Sequence, residues 1–279
     1  MEKMCNVLGV SKSGYYKWAQ EKDNENSYQR RRNALLARIS WLFFDAHQRY
    51  GSPKITKLLR REGWTVSQRL VSKIMSENGL RSCVSRKFKV NTTDSNHTSP
   101  IAPNVLNQKF VTTAPNKVWV TDITYIPCRE GRLYLASVLD LYTRKIVGWK
   151  LADHMTKELV LEALDQAYES QKPKKGLIHH SDRGSQYASE DYRKRLRKYK
   201  MKASMSRKGN CYDNACIESF HSVLKKEFIY CTKFRTKAQA QQQMFEYIEL
   251  FYNRKRIHGS LGYVSPDRFE AEYYRRKKA

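Results

Sequence analysis

The chain has 279 residues, room for one medium-sized domain and a smaller one, and its hydrophobic content of 40% is sufficient for a buried core. Lys and Arg total 53 against 27 acidic residues, and the formal net charge of +26 favours a polyanionic partner, with nucleic acid the leading candidate. No stretch approaches the roughly 18 uninterrupted apolar residues of a spanning helix, and no signal peptide opens the chain, which predicts a soluble cytoplasmic protein without a membrane partner.

Residues 1–90 are predicted to form a basic helical region with two helix–turn–helix units. In the first unit, Gly9 ends one helix and Ser11 caps the next. Glycine readily adopts the left-handed conformation that follows a helix, and a serine hydroxyl accepts from the free amides of a first turn.

The second unit begins at Ser52, which is predicted to cap a helix with Pro53 in its first turn and Gly63 past its end. Ser67 then caps a further helix, which closes at Asn78–Gly79. Two short helices with a tight turn are also a common packing unit, but the positive charge favours DNA binding. The candidate DNA contacts on the second helix are Arg69 and Lys73.

Residues 91–116 are predicted to be a linker, because the segment is polar and lacks periodicity. In 117–279 the pattern changes to alternating or apolar segments that predict strands, separated by segments of helical period. The expected strands are 117–127, 132–142, 145–153, 176–182 and 201–206, and the expected helices are 156–171, 189–200, 213–230 and 236–254. The last residues, YYRRKKA, are predicted to be a solvated basic tail.

The predicted element order has three strands in succession, followed by alternating helices and strands. Short turns between the first three strands indicate an antiparallel meander. This order is that of the ribonuclease H fold. The predicted fold class is therefore α/β, a mixed sheet with flanking helices, preceded by a small all-α helix–turn–helix region.

Three carboxylates are unusual in their positions. Asp122 lies within an otherwise core-like strand, where burial of a charge is costly unless a cation or another partner compensates it. Asp182 directly follows a predicted strand, at the strand end where ligand sites of α/β sheets gather. Glu218 and Lys225 are seven residues apart on one predicted helix, so both lie on the same face.

These positions suit phosphodiester chemistry. Transfer of a phosphodiester requires an activated oxygen nucleophile and a stabilised leaving oxygen, which two Mg²⁺ ions about 3.5–4 Å apart provide. Because magnesium prefers oxygen ligands, Asp122, Asp182 and Glu218 are the candidate catalytic and metal-binding residues. Each acid taken alone is more often a cap, a salt-bridge partner or a surface residue. That ordinary role is expected for Asp153, Asp165, Asp213 and Asp140, the last being the strongest alternative ligand.

Two further segments are candidate DNA contacts. Residues 192–212 carry nine Lys or Arg and no acid, immediately before the helix of Glu218, which favours a phosphate-contacting surface beside the candidate acids over an ordinary solvated face. The segment FYNRKRIHGSL interleaves aromatic and cationic residues, although Phe251 and Tyr252 would equally well belong to the core. The candidates from the two segments are Arg193, Arg197, Lys198, Arg207, Lys208, Arg254 and Arg256. For His179 and His180 a structural role is expected, one buried and hydrogen-bonded and the other exposed.

The segments WVTDITYI, HSDRGSQY and GNCYDNACIESFHSVLKKE, with 35 residues between Asp182 and Glu218, resemble the DDE transposases of insertion sequences. The resemblance is to the second-frame product of the insertion sequence 3 family, whose core is similar to retroviral integrase. YNRKRIHGSLGYVSPDRF resembles the closing motif of that family, and RYGSPKITKLLRREG resembles its helix–turn–helix region, so the resemblance covers essentially the whole chain. His221 stands where that family more usually has an aromatic residue.

The resemblance implies that Asp122, Asp182 and Glu218 are catalytic ligands of two Mg²⁺ ions, which Mn²⁺ could replace, and that Lys225 contacts DNA. It implies strand cleavage and transfer of a 3′ hydroxyl to a target phosphate. The implied partners are double-stranded element ends and target DNA, further copies of the chain, and a companion product of the upstream frame. Because Met1 lies close to the first helix–turn–helix, the downstream product alone is expected, in the bacterial cytoplasm and at the nucleoid when bound to DNA.

Two alternatives remain at this stage. A nuclease on the same fold would hydrolyse DNA without joining it, and the basic N-terminal region, suited to holding element ends, weighs against it. A non-catalytic DNA-binding regulator would keep the basic surfaces without the chemistry. The presence of all three acids at workable spacing weighs against the regulator.

Overall fold

The computed structural model describes residues 2–21, 26–85 and 100–278. It divides into two compact units, Met1–Ser82 and Cys83–Ala279. Residues 91–99, the first part of the predicted linker, lie outside the described residues. The remaining part, 100–116, belongs to the second unit, where Leu106 is buried. The backbone amides of Val105 and Leu106 donate to the Ser204 hydroxyl.

The first unit is helical, as predicted. Its helices are α1 (Glu2–Val7), α2 (Lys12–Glu21), α3 (Ser27–Asp45), α4 (Ser52–Arg61) and α5 (Gln68–Glu77). The predicted turn before α2 is confirmed, because Ser11 Oγ accepts from the amide of Gly14 at 3.0 Å. The long helix α3 contacts both α4 and α5 and buries Leu35, Ile39 and Phe43.

The helix–turn–helix of α4 and α5 agrees with the sequence at all but one of its predicted boundaries. Ser67 caps α5 by accepting from the Leu70 amide at 3.1 Å, and Gly63 adopts a left-handed φ of +88° just after α4. The cap of α4 is Gly51 rather than Ser52, so the prediction was wrong by one residue. Pro53 still lies in the first turn, where its missing amide costs no helix hydrogen bond.

The second unit is a five-stranded mixed sheet with helices on both faces. Its elements are β1 (Val118–Cys128), β2 (Gly131–Asp140), β3 (Ile146–Ala152), α6 (Lys157–Gln171), β4 (Ile178–Ser181), α7 (Ser185–Ala188), α8 (Glu190–Lys198), β5 (Lys202–Met205), α9 (Ala215–Glu227), α10 (Lys237–Phe245) with a π-helical continuation Glu246–Asn253, and α11 (Pro266–Lys278). The strand order is β3-β2-β1-β4-β5. Strands β1, β2 and β3 are antiparallel neighbours, which confirms the predicted meander, and β4 and β5 run parallel to β1. The order of strands and helices along the chain is also as predicted.

Alternation along β2 separates the two faces of the sheet. Ala136 and Val138 join a buried cluster with α6 and α8, which includes Tyr192 and Leu196. Ser137 lies between them and points to the opposite face, where it contacts α9. Helices α6 and α8 therefore cover one face of the sheet, and α9 covers the other.

Gly148 allows α6 to approach β3 closely. A Cβ atom at this position would lie 2.4 Å from the carbonyl oxygen of Ala163 and 2.6 Å from the amide nitrogen of Ala167. Both are backbone atoms, which cannot move aside without shifting the helix. Glycine at 148 thus sets the distance between α6 and the sheet.

The C-terminal end differs from the sequence prediction. Residues up to Lys278 belong to α11 rather than to a solvated tail without structure. Its first turns are tied to the domain, because Lys145 bridges Asp267 and Glu270 at 2.8 Å each and Phe269 packs beside Tyr142. In the part of the chain that the structure describes, no helix has the length and apolarity needed to cross a membrane.

Candidate functional site

Strand register brings Asp122 and Asp182 to corresponding positions. The parallel ladder of β1 and β4 pairs Val120 with His180, and Asp122 and Asp182 each follow two residues later. The charges of both carboxylates act on Tyr187, whose hydroxyl lies 3.2 Å from Thr121 Oγ1. Burial raises the pKa of Tyr187 well above its usual value, and the nearby Tyr192, Asp122 and Asp182 raise it further. The two acids thus share one end of the sheet.

The loop after β4 holds Asp182 in a tight turn. Asp182 Oδ1 accepts from the amide of Gly184 at 2.9 Å. A Cβ on Gly184 would lie 3.1 Å from that same carboxylate oxygen and 3.2 Å from Gln186 Oε1, so a side chain there would crowd the turn. The glycine therefore lets the chain fold back under the carboxylate and enter α7.

Helix α9 brings Glu218 towards Asp122. Asn214 precedes the helix and donates from Nδ2 to the carbonyl oxygen of Thr121 at 3.1 Å, so the start of α9 is tied to β1. Because the Asn214 side chain binds to β1, it makes no cap hydrogen bond to α9. Glu218 is exposed overall, yet partial desolvation of its carboxyl and then the charge of Asp122 raise its pKa. Glu218 and Asp122 therefore lie close enough to repel each other.

Within the described residues, neither Asp122 nor Glu218 forms an ion pair with Lys or Arg. Asp122 Oδ1 accepts from its neighbouring amide at 2.8 Å, and Oδ2 lies 3.4 Å from His221 Nδ1. Lys225 is half-buried on the same helix as Glu218, with its Nζ 4.9 Å from the centre of the Tyr125 ring. Burial lowers the pKa of Lys225, and the charge of Asp122 acts in the opposite direction.

The four acids expected to be structural have protein partners. Asp140 is buried and accepts from the amide and hydroxyl of Thr143 and from the amide of Asn116; burial raises its pKa against these hydrogen bonds. Asp213 binds Arg207, which holds its pKa well below the usual range. The remaining two pair with cations of other elements, Asp153 with Lys237 and Asp165 with Arg195. Asp140 is thereby removed as an alternative ligand.

Both histidines beside Asp182 are buried, so the expectation that one would be exposed was wrong. The sheet is covered on both faces, and the two side chains, which alternate, each meet a protein layer. His180 lies 2.8 Å from Ser204 Oγ and 3.1 Å from Ser206 Oγ, and His179 lies 3.3 Å from the hydroxyl of Tyr192. Burial lowers the pKa of His179 to about 3 and that of His180 to about 4, so both rings are neutral at pH 7.

The donor set fits a hard divalent cation. Asp122, Asp182 and Glu218 offer carboxylate oxygens, the ligands that Mg²⁺ prefers. Among the residues that the structure describes, no three His, Cys, Asp or Glu side chains are already spaced as a metal site. Asp122 therefore interacts with Glu218 and shares its end of the sheet with Asp182, but the three acids do not form a closed cage.

The candidate DNA contacts of residues 192–212 lie in different settings. Arg193, Arg197 and Lys198 are on α8, which packs on the sheet face opposite α9, so the structure does not bring them to the face of Asp122 and Glu218. The expectation of a surface directly beside the acids is corrected on this point, because sequence order alone does not tell which face a helix covers. Arg207 is paired with Asp213, and Lys208 is exposed.

Arg256 is not available for DNA, contrary to expectation. Its Nε and Nη2 donate to the two carboxylate oxygens of Glu227 at 2.8 Å each, and both side chains are almost fully buried. Arg254 is exposed, with its Nε 3.9 Å from Asp267. Phe251 and Tyr252 are buried, so both belong to the core rather than to a DNA-contacting surface.

In the first unit, Arg69 and Lys73 are exposed on α5. They line a surface groove with Gln68, Ser72, Ser76 and Glu77. The other side of α5 is buried through Val71, Ile74 and Met75. The polar face of α5 is therefore exposed, with Lys73 Nζ 3.9 Å from Glu77 Oε1.

Three residues that contact the acids or their strand were not singled out from the sequence as site residues. Ser137 is a small polar residue within a buried strand, a weak signal in β2. Tyr187 and Asn214 lie inside the recognised motifs, but no spacing rule indicates that one approaches both aspartates and the other binds β1. The sequence did not indicate these three residues because the role of each depends on contacts with other elements of the fold.

Comparisons with known proteins agree with this architecture. Residues 112–211 and 199–266 match two models described as integrase core domain, and residues 30–88 match an HTH-like domain. The chain is 45% identical to the insertion element IS600 uncharacterized 31 kDa protein of Shigella sonnei, over 97% of this chain and 98% of the relative. It is 40% identical to transposase InsF for insertion sequence IS3A of Escherichia coli strain K12, over 96% and 92%.

A further relative, the transposase for insertion sequence element IS904 of Lactococcus lactis, is 45% identical over 86% of this chain and 94% of the relative. The solved HTLV-2 integrase catalytic core domain in complex with magnesium aligns at 14% identity with a TM-score of 0.44, over 56% of this chain and 97% of that chain, a likeness too weak to bear on function. The family models and close relatives confirm the predicted fold class and function: the chain belongs to the insertion sequence 3 family of transposases, enzymes with an integrase core that act on DNA.

Proposed function

We propose that this transposase cuts and joins DNA with Asp122 and Asp182, at one end of the sheet, and Glu218, on the adjacent α9, using two Mg²⁺ ions. The observation that carries the proposal is the charge distribution there. In a chain of net charge +26, Asp122 and Glu218 form no ion pair with a described Lys or Arg, and the charge of Asp122 raises the pKa of Glu218. Repelling carboxylates of this kind are stabilised by a bound cation.

The residues have separate roles in this proposal. Asp122, Asp182 and Glu218 hold the metal ions, which when bound activate the attacking oxygen and stabilise the leaving oxygen. Lys225, on the same helix as Glu218 and near Asp122, contacts a phosphate of the DNA. Because the acids form no closed cage beforehand, we infer that side-chain movement on binding metal and DNA completes the site.

Metal dependence is the direct test. Full-length protein, a labelled duplex carrying the element end and Mg²⁺ should give end-to-target joined products, and removal of the metal with EDTA should abolish them. Mn²⁺ should restore joining, because it accepts the same oxygen ligands. Joining that continues in EDTA would contradict the metal proposal, and metal-dependent cleavage without joining would favour the nuclease.

The N-terminal unit is proposed to hold element ends through α5. Replacing Arg69 and Lys73 together with alanine should weaken end binding and lower the slope of log affinity against log salt by up to about 2, since each phosphate contact contributes about 0.9. The matched control is Lys174→Ala with Lys175→Ala, which removes the same charge from an exposed loop after α6. An equal loss in both double variants, measured by fluorescence anisotropy, would contradict a specific role for α5.

The other expected contacts and partners remain proposals. Arg254 is the candidate at the C-terminal side of the core, and Arg193, Arg197, Lys198, Arg207 and Lys208 are retained as contacts of DNA outside the metal site. Two element ends must be brought together, so we propose that copies of the chain assemble on DNA. A companion upstream-frame product is a further proposed partner. We propose residues 1–90 as the DNA-binding region and 117–279 as the catalytic core, joined by the proposed linker 91–116, of which the second part, 100–116, packs with the core.

A further inference from the structure

One buried side chain links the sheet to the proposed metal ligand Asp122. His221, on α9, has its Nε2 2.8 Å from Ser137 Oγ and its Nδ1 3.4 Å from Asp122 Oδ2. Ser137 is fully buried, and His221 is 5% exposed. Within the described residues, each ring nitrogen has a single partner.

The Ser137 hydroxyl determines which nitrogen of His221 carries the proton. Among the described residues, the only acceptor within reach of that hydroxyl is His221 Nε2. A buried hydroxyl donates when an acceptor is available, because a buried donor left without a partner is destabilising. With Nε2 accepting, a neutral imidazole carries its proton on Nδ1, the nitrogen that faces Asp122.

The arrangement constrains one carboxylate oxygen. Asp122 Oδ1 already accepts from the Ile123 amide at 2.8 Å, and Oδ2 lies 3.4 Å from His221 Nδ1, so that a small movement of either side chain would complete a hydrogen bond between them. Residues that hydrogen-bond to a metal ligand orient it and raise metal affinity. Because His221 belongs to α9, its contact with Asp122 also links α9 to β1. Glu218 lies one turn earlier on the same helix.

We propose that Ser137 and His221 form a positioning relay that orients Asp122 for the metal before DNA arrives. This rests on the proposed function, in which Asp122 is a metal ligand. His221 acts through Asp122 and touches no reacting atom. An imidazole at this position thus does what an aromatic hydrocarbon ring could not, because it accepts from the Ser137 hydroxyl through Nε2 and carries a donor, Nδ1–H, on the side of Asp122.

Substitutions at 221 separate orientation from packing. Asparagine places an amide nitrogen near the former Nδ1 and can still donate to Asp122, whereas glutamine reaches the former Nε2 position and contacts Ser137 only. Phenylalanine fills the space without a donor. Mn²⁺ alone, titrated into the full-length protein and followed by electron paramagnetic resonance of the free ion, reports metal affinity without requiring catalysis.

We expect His221→Phe to weaken Mn²⁺ binding by about 10-fold or more, the range for loss of a residue that supports a metal ligand. His221→Asn should remain within about 3-fold of wild type, and His221→Gln should resemble His221→Phe. Wild-type Mn²⁺ affinity in His221→Phe would overturn the relay. Equal Mn²⁺ affinity in His221→Asn and His221→Gln would also overturn it, because it would show that the position of the side-chain nitrogen has no effect.

Two more variants complete the test. Ser137→Ala removes one oxygen atom and should give an affinity between those of wild type and His221→Phe; if His221→Phe does not fold, wild-type affinity in Ser137→Ala overturns the relay. Asp122→Asn tests the proposed function separately. Unchanged Mn²⁺ binding there would remove Asp122 as a ligand, whereas lost binding in Asp122→Asn with wild-type binding in His221→Phe would overturn the relay alone.

Discussion

Glu218→Gln should abolish strand joining while element-end binding stays within about 3-fold of wild type. The substitution keeps the size of the side chain and removes one negative charge from the proposed metal site. Loss of one metal ligand removes several kcal/mol of transition-state stabilisation, so the joining rate should fall by about 10³-fold or more. In the proposed function, end binding depends on basic surfaces elsewhere and needs no charge at Glu218.

The matched control is Glu169→Gln, because Glu169 is an exposed acid on α6 and lies in no proposed site. Joining of the labelled duplex is measured for both variants in Mg²⁺, and end binding is measured in parallel. Wild-type joining by Glu218→Gln would refute its role as a ligand. Binding without cleavage or joining in the wild-type protein, unchanged in Glu218→Gln, would favour the regulator.

Glu227→Gln should destabilise the second unit by about 3–5 kcal/mol, because it leaves the buried Arg256 charge without its counterion. Glu227 accepts from Arg256 through both oxygens and from the Tyr247 hydroxyl at 3.2 Å. For a unit of this size, about 3–5 kcal/mol corresponds to a fall in Tm of roughly 6–20 °C. Glu227 ends α9, so this pair also holds the helix that carries Glu218.

The control for this prediction is the exposed pair of Arg268 and Glu272, which are one turn apart on α11 at 3.0 Å. Glu272→Gln should cost less than about 0.5 kcal/mol, as is usual for a solvent-exposed i,i+4 pair. Unfolding is followed by circular dichroism on the full chain. Equal losses of unfolding free energy in Glu227→Gln and Glu272→Gln would mean that burial does not make the Glu227–Arg256 pair more important for stability than an exposed pair.

The predictable part of this molecule follows from short-range patterns. Alternation and apolar runs indicated all five strands in their observed order, and Ser11 and Ser67 cap the helices as expected. The same patterns identified Asp122 as an acid in a core-like strand and Asp182 as an acid at a strand end. These features depend on neighbours within a few residues, so sequence alone carries them.

Tertiary contacts decided which polar side chains are buried and paired and which are exposed. Arg254 and Arg256 are two residues apart in one basic segment, yet Arg256 is buried against Glu227, 29 residues away, while Arg254 is exposed. His179 and His180 are both buried because each face of the sheet is covered, and α8 carries its cations to the face opposite α9.

By itself, the sequence determined the order of strands and helices along the chain, the polyanionic partner and the three candidate acids, since these follow from local periodicity, total charge and motif spacing. Only the tertiary structure decided that His221 connects Ser137, 84 residues away, to Asp122. It also decided which cations are neutralised. The physical reason is that desolvation and hydrogen bonding act between atoms brought together by packing, and the periodicity of one segment contains no record of what packs against it.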